Sequence, residues 1–266
     1  MITYSFVCAF GMAAFWGQDN GQSFEPDVVG LIYMSRWPEV ERALWKIGTF
    51  HQSKYREYGE SIFGSLCRFS GKSDMNGNVL TGMRLLRDHG ANPSGNHGCA
   101  MWHAAELDEW GDITERLIQY GVNPNAKCSA NPAFEGLVPI YETAYQNKTS
   151  KVANILLKKG VNSNVFTVDP RNPTGDKSPL TPLMIAAFKN HYETVSALIK
   201  FKASKSLTSP ISGMTALHYA AKGDSYQSIE ILLKAGADKK LKDKKGRTPL
   251  AIAKSVKAKW SITLLK

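Results

Sequence analysis

A chain of 266 residues with 43% hydrophobic and 21% charged side chains has the composition of a folded protein, which excludes intrinsic disorder. Its formal charge of +10 sits at one end, because residues 239–266 hold ten Lys or Arg and one Asp, leaving 23 basic and 22 acidic side chains before them. Electrostatic arguments about partners therefore belong to that end, and four dispersed cysteines without C-x-x-C spacing signal neither a zinc site nor a disulfide-built fold.

Residues 1–24 come first in chain order. MITYSFVCAFGMAAFWGQDN has no charge before Asp19, and Gly11 to Ala14 are small residues of the kind found near cleavage sites. Against a secretory leader, no Lys or Arg precedes the apolar run, and Tyr4 and Ser5 interrupt it. The alternative is an apolar segment packed on the first helices, and the run is short for a membrane span. Export to a bacterial periplasm and residence in a cytoplasm both stay open. Removal of a leader would leave three cysteines, an odd count that argues against a fully paired exported protein.

Residues 25–95 carry faint helical pairs. Gly30 to Gly48, GLIYMSRWPEVERALWKIG, is the first; Leu85-Leu-Arg-Asp-His-Gly90-Ala-Asn ends a second, whose opening helix is Ser61 to Phe69.

From residue 96 a repeat becomes explicit. Gly213-Met-Thr-Ala-Leu-His218 and Gly246-Arg-Thr-Pro-Leu-Ala251 align at a spacing of 33, and Thr181-Pro-Leu-Met-Ile-Ala-Ala187 lies 34 residues before Thr215. Val138-Pro-Ile-Tyr and Cys99-Ala-Met-Trp-His-Ala-Ala105 continue the register upstream. Gly121-Val-Asn, Gly160-Val-Asn, Lys202-Ala-Ser and Gly236-Ala-Asp terminate the units. Within a unit, apolar residues recur at helical spacing in two short runs, so each reads as helix, turn, helix. Thr suits the N-cap because its hydroxyl accepts from an orphan first-turn amide; Pro suits N1, and Gly the left-handed stop. Helices this short are marginal alone and must bury their apolar faces on neighbouring copies.

The Thr-Pro-Leu-His-x-Ala-Ala motif resembles the ankyrin repeat family, strongly after residue 96 and weakly over 27–95. The resemblance implies an all-α solenoid of about six or seven helix-turn-helix units, the N-terminal ones degenerate. It also implies that His218 is structural, tying a helix start to adjacent backbone. In this family the inter-repeat fingers and the exposed side of the first helices hold protein partners. Two connections are longer than the repeat requires, 128–137 and 165–179, so by resemblance both project toward the binding face; loop tips also tolerate insertions without function. The expected partner-binding residues are Trp110, Phe134, Glu135, Tyr145, Phe166, Arg171, Lys189, Met214 and Lys222, since aromatic and Arg anchors in such places usually dominate interfaces.

Signals for chemistry are weak. Ser70-Gly-Lys-Ser73 lacks the earlier glycine of a phosphate loop, and neither G-x-S-x-G nor H-E-x-x-H occurs. His97, Cys99 and His103 are zinc-type ligands, but the repeat register accounts for the last two without a metal. Glu106, Asp108 and Glu109 read as a solvated helix end rather than paired catalytic carboxylates, and Asn147-Lys-Thr149 is a short sequon. The expectation is a binding protein without catalytic residue, metal or cofactor. Stand-alone ankyrin proteins of bacteria include immunity proteins that neutralise a secreted toxin enzyme, and this is the specialised form of the expectation. The alternative is a secreted effector or regulator whose basic C-terminal end contacts nucleic acid or an anionic membrane; a charged solubilising cap accounts for that end more simply.

Overall fold

The computed structural model describes residues 28–33, 35–47, 63, 66, 67, 76–94, 99–127, 137–146 and 149–266. The leader-like segment, Ser70–Ser73, His97, the finger over 128–136 with Phe134 and Glu135, and Asn147 lie outside them.

Five helical hairpins follow one another from residue 99. They are α4 (Cys99–Leu107) with α5 (Asp112–Gln119), α6 (Pro139–Gln146) with α7 (Lys151–Lys158), α8 (Pro182–Phe188) with α9 (Tyr192–Lys200), α10 (Ala216–Lys222) with α11 (Tyr226–Lys234), and α12 (Pro249–Ser255) with α13 (Lys259–Leu265). Upstream lie α1 (Val28–Tyr33), α2 (Trp37–Ile47) and α3 (Asn76–Asp88). First helices stack on first helices and second on second, which gives two layers with the hairpin turns along one edge and the inter-repeat fingers along the other. At the N-terminal end α3 packs on α5, so it continues the second-helix layer, and the buried, helical Phe63, Leu66 and Cys67 precede it.

The repeat residues act as their chemistry dictates. Thr181 and Thr248 are extended N-caps whose hydroxyls accept from the amides of Met184 and Ala251 at 3.3 Å, with proline next in line. In the fourth hairpin, His218 is fully buried; its Nδ1 lies 3.2 Å from the Thr215 amide and 2.8 Å from the Thr215 hydroxyl, and its Nε2 lies 3.0 Å from the Arg247 carbonyl. A carbonyl only accepts, so Nε2 carries the proton and the ring is neutral. Burial holds its pKa below the usual histidine value, against the bond to Arg247, which pulls the other way. His218 is thus a tie between consecutive fingers.

Second helices end at Gly90, Gly121, Gly160 and Gly236, whose φ values of 77° to 84° are the left-handed stop. The third hairpin lacks the glycine, and Lys202 takes φ 64° in its place. At the turn edge, Asn190 and Asp224 reach into the next repeat: their Oδ1 atoms accept from the backbone and hydroxyl of Ser228 and Ser261, near the starts of α11 and α13. These side chains cap helices of the following repeat. The layers are joined by an apolar core that runs through every repeat, from Val28 and Leu44 to Ile252 and Leu265. Each fully buried Leu or Ile contributes about 1.5–3 kcal/mol, which the short helices cannot supply alone.

Candidate partner-binding face

The finger over 165–181 is a folded structure. It leaves and returns through one antiparallel bridge, with Thr167 N–H donating to Leu180 O at 2.9 Å and Leu180 N–H to Thr167 O at 3.0 Å. Between them the sequence Asp169-Pro-Arg-Asn172-Pro-Thr-Gly-Asp176 makes successive Asx turns: Asp169, Asn172 and Asp176 accept from the amides two residues on, at 2.9, 3.0 and 3.0 Å. Proline after Asp169 and after Asn172 pre-sets the turn backbone.

Two ties hold this finger against first helices on either side. On one side, Arg171 gives Nη1 and Nη2 to the Glu142 carboxylate of α6 at 3.0 and 2.6 Å, and Nε and Nη2 to Asp169 at 3.0 and 2.9 Å. Both carboxylates have no side-chain exposure and the arginine 22%. Burial raises the Glu142 pKa, and Arg171 opposes that. On the other side, Tyr219 of α10 donates to Asp176 Oδ2 at 2.6 Å, and Ser178 Oγ accepts from the Ile211 amide at 2.9 Å. Burial pushes the Asp176 pKa up, but hydrogen bonds from Ser212, Tyr219 and the Ser178 amide, with the Lys222 charge, bring it below the usual value. The finger therefore bridges α6 and α10 across the repeat it introduces.

Three of the expected site residues meet here. Tyr145 donates its hydroxyl to the Arg171 carbonyl at 3.1 Å, and two cations lie over its ring, Arg171 at 4.5 Å and Lys189 at 4.0 Å from the centroid. Lys222 stands beside Asp176, and Phe166, 38% exposed, lies on the finger. Arg171 was expected as a partner-binding residue; its guanidinium pairs with two buried carboxylates, and 22% of the side chain is exposed. Met214, expected on the exposed side, is 2% exposed and belongs to the core. It is the residue before the N-cap Thr215, a place where an apolar side chain staples the chain to the helix. Trp110, half exposed under Lys151 Nζ at 3.9 Å, is in the α4–α5 turn and so on the edge opposite the fingers.

Sequence reasoning missed Val168 and Ile211, which are 65% and 60% exposed on this finger and the next. Their signal is an apolar residue in a loop rich in the turn formers Asp, Asn, Ser, Pro and Gly. It also missed Glu142, whose fully buried carboxylate in a repeat helix requires a cation.

The chemical candidates find structural uses. Asp108 is fully buried and accepts from Gly111 N–H, Thr114 N–H and the Thr114 hydroxyl, each at 2.8 Å, so it closes the α4–α5 turn. Cys99 is disulfide-bonded, which removes its thiolate from metal binding, and Cys67 is a buried thiol whose pKa burial raises. Among the described residues no group of three His, Cys, Asp or Glu is placed to hold a metal ion, and no helix is long and apolar enough to cross a membrane.

Comparison with known proteins agrees with this architecture. The family model described as "Ankyrin repeats (3 copies)" matches three overlapping stretches, 101–207, 140–243 and 183–265. No curated protein matches the chain. With hairpins stacked in two layers, Thr and His tying the fingers, and the matches running together over most of the sequence, the chain belongs to the ankyrin repeat family, whose repeats generally mediate protein–protein interaction.

Proposed function

We propose that this protein holds a folded protein partner against the finger over 165–181 and the neighbouring first helices, and acts by recognition without a reaction. The observation that carries the reading is the finger itself: it is tied on both sides by buried polar contacts, yet leaves Phe166 and Val168 exposed, with Ile211 exposed on the next finger beside it. A loop ordered before binding spares the entropy that association otherwise costs, and exposed apolar residues on a rigid support are what an interface uses. Tyr145 and Lys189 flank the finger with an aromatic ring and a cation.

The specialised form of the proposal is an immunity protein that neutralises a secreted toxin enzyme by covering its active site or blocking its opening. The Cys99 disulfide supports it, because such bonds persist in oxidising compartments, where a secreted enzyme would be met. Co-expression with the product of the adjacent gene is the test. Restored growth together with a co-purified complex is the expected result; a non-toxic neighbour that fails to co-purify would remove the specialised form.

A further inference from the structure

The hairpin-turn edge, opposite the fingers, carries a second feature that partner binding at the fingers does not use. Tyr192 is the first residue of α9, Tyr226 the first of α11, and Trp260 the second of α13. Tyr192 and Tyr226 share one register position, and Trp260, 34 residues after Tyr226 where the repeat spacing is 33, stands one residue beyond it. Their exposures are 43%, 41% and 64%, and Val256 in the α12–α13 turn adds a fourth apolar group at 44%. Tyr192 and Tyr226 sit within the stack and are still open, so the position in the repeat sets their exposure. Tyr226 and Trp260 meet edge to face, centroids 6.3 Å apart.

The charge around Trp260 is positive in excess. Lys254, Lys257 and Lys259 are exposed in the segment that carries Val256 and Trp260. The acids nearby are Asp224, which caps Ser261, Glu193, which accepts from the Ser150 amide at 3.3 Å, and Glu230, which Lys234 offsets at 2.7 Å; they keep their charge, and the lysine excess lies at the Val256–Trp260 end. Tyrosine and tryptophan with an apolar body and a polar tip, set among lysines on a projecting edge, match the headgroup region of a bilayer with negative lipids. The open groove at Tyr192, lined also by Ser150, Asn154, Glu193 and Lys200, includes one of the three rings, whereas a deformable plane can meet all three together.

We propose that the turn edge of the last three repeats, with Tyr192, Tyr226 and Trp260 each near the start of a second helix and Lys254, Lys257 and Lys259 beside the last of them, docks on an anionic lipid surface. Docking there leaves the finger edge, on the far side of the helices, free for a protein. Negatively charged headgroups face the lysines, and the rings settle at headgroup depth.

The experiment is co-sedimentation of the full chain with vesicles of phosphatidylcholine, with and without phosphatidylserine, across a salt series. Binding is expected only with phosphatidylserine and falls as salt rises. Lys254→Glu/Lys257→Glu/Lys259→Glu should weaken it about a hundredfold, at roughly fivefold per lysine. Tyr192→Ala/Tyr226→Ala/Trp260→Ala, at exposed positions and with an unchanged circular-dichroism melt, should abolish what binding survives at high salt. Equal binding to both vesicles, no binding to either, or full binding by the triple-alanine chain overturns the proposal. Retention of polyglutamate in place of vesicles also overturns it, and assigns the edge to an acidic protein.

Discussion

Replacing Arg171 by alanine tests whether the finger is held by its ion cluster. The guanidinium makes four contacts of 2.6 to 3.0 Å to Glu142 and Asp169, neither of which has side-chain exposure. Removing one partner of a buried charge network leaves uncompensated charge, at a cost of about 3–5 kcal/mol. Protonation of Glu142, already favoured by burial, and local release of the finger both limit the loss, so about 3 kcal/mol is the expected value. Release breaks the bridge between Thr167 and Leu180, and at 1.4 kcal/mol per factor of ten their amides should exchange about a hundredfold faster. Hydrogen exchange with mass spectrometry reads this directly, and urea unfolding gives the global term. Adding Glu142→Gln to Arg171→Ala should recover part of the loss, since an amide is cheaper to bury than an unpaired charge. Exchange at Thr167 and Leu180 within twofold of the native protein would refute the reasoning.

Three further outcomes follow from the repeat geometry. His218 has a lowered folded pKa, so as pH falls below about 6.5 the unfolded chain takes a proton that the fold refuses, and stability should decline; in His218→Gln the slope of urea midpoint against pH between 7 and 5 should flatten, and an unchanged slope counts against a neutral tie. Gly223→Ala would place a methyl 2.1 Å from the Phe188 carbonyl oxygen, which also accepts from Ser225 at 2.8 Å, so a loss of about 3 kcal/mol is expected in the same unfolding assay. Lys202→Gly relieves the left-handed φ of 64° and should raise stability by about 0.5–1 kcal/mol after the added freedom of the unfolded glycine, whereas a loss would show that the lysine side chain is needed there.

Much of the scaffold was readable from single residues, because each works locally. Thr181, Pro182 and Gly236 specify a cap, a first turn and a stop within their own hairpin, and the alignment of Thr215 with Thr248 repeats the instruction. His218 was readable for the same reason, since its partner Arg247 stands in the next copy of one pattern. The Arg171 cluster was not, because Glu142 lies on the helix of a preceding repeat and the irregular spacing there hides which residues the stack brings together. Reading Arg171 by residue type alone made it an interface anchor; burial of its two acids adds a role as an internal tie that residue type did not show. Met214 was misplaced although its position before a cap, with a fully buried Tyr219 one turn on, carries the signature of a packed staple. The exposed Val168 and Ile211 were visible as apolar letters in polar loops, but only the folded finger distinguishes an outward side chain from a core one.

The central claim, that a protein partner is held at the finger edge, is tested most directly by comparing what two chains capture. The native protein and a Phe166→Ala/Val168→Ala/Ile211→Ala variant would be immobilised in parallel, with matched melting curves showing that both are folded, and captured proteins identified by mass spectrometry. Loss by the variant of a stoichiometric partner held by the native chain is the predicted result; equal capture of that partner by both would place recognition elsewhere on the stack.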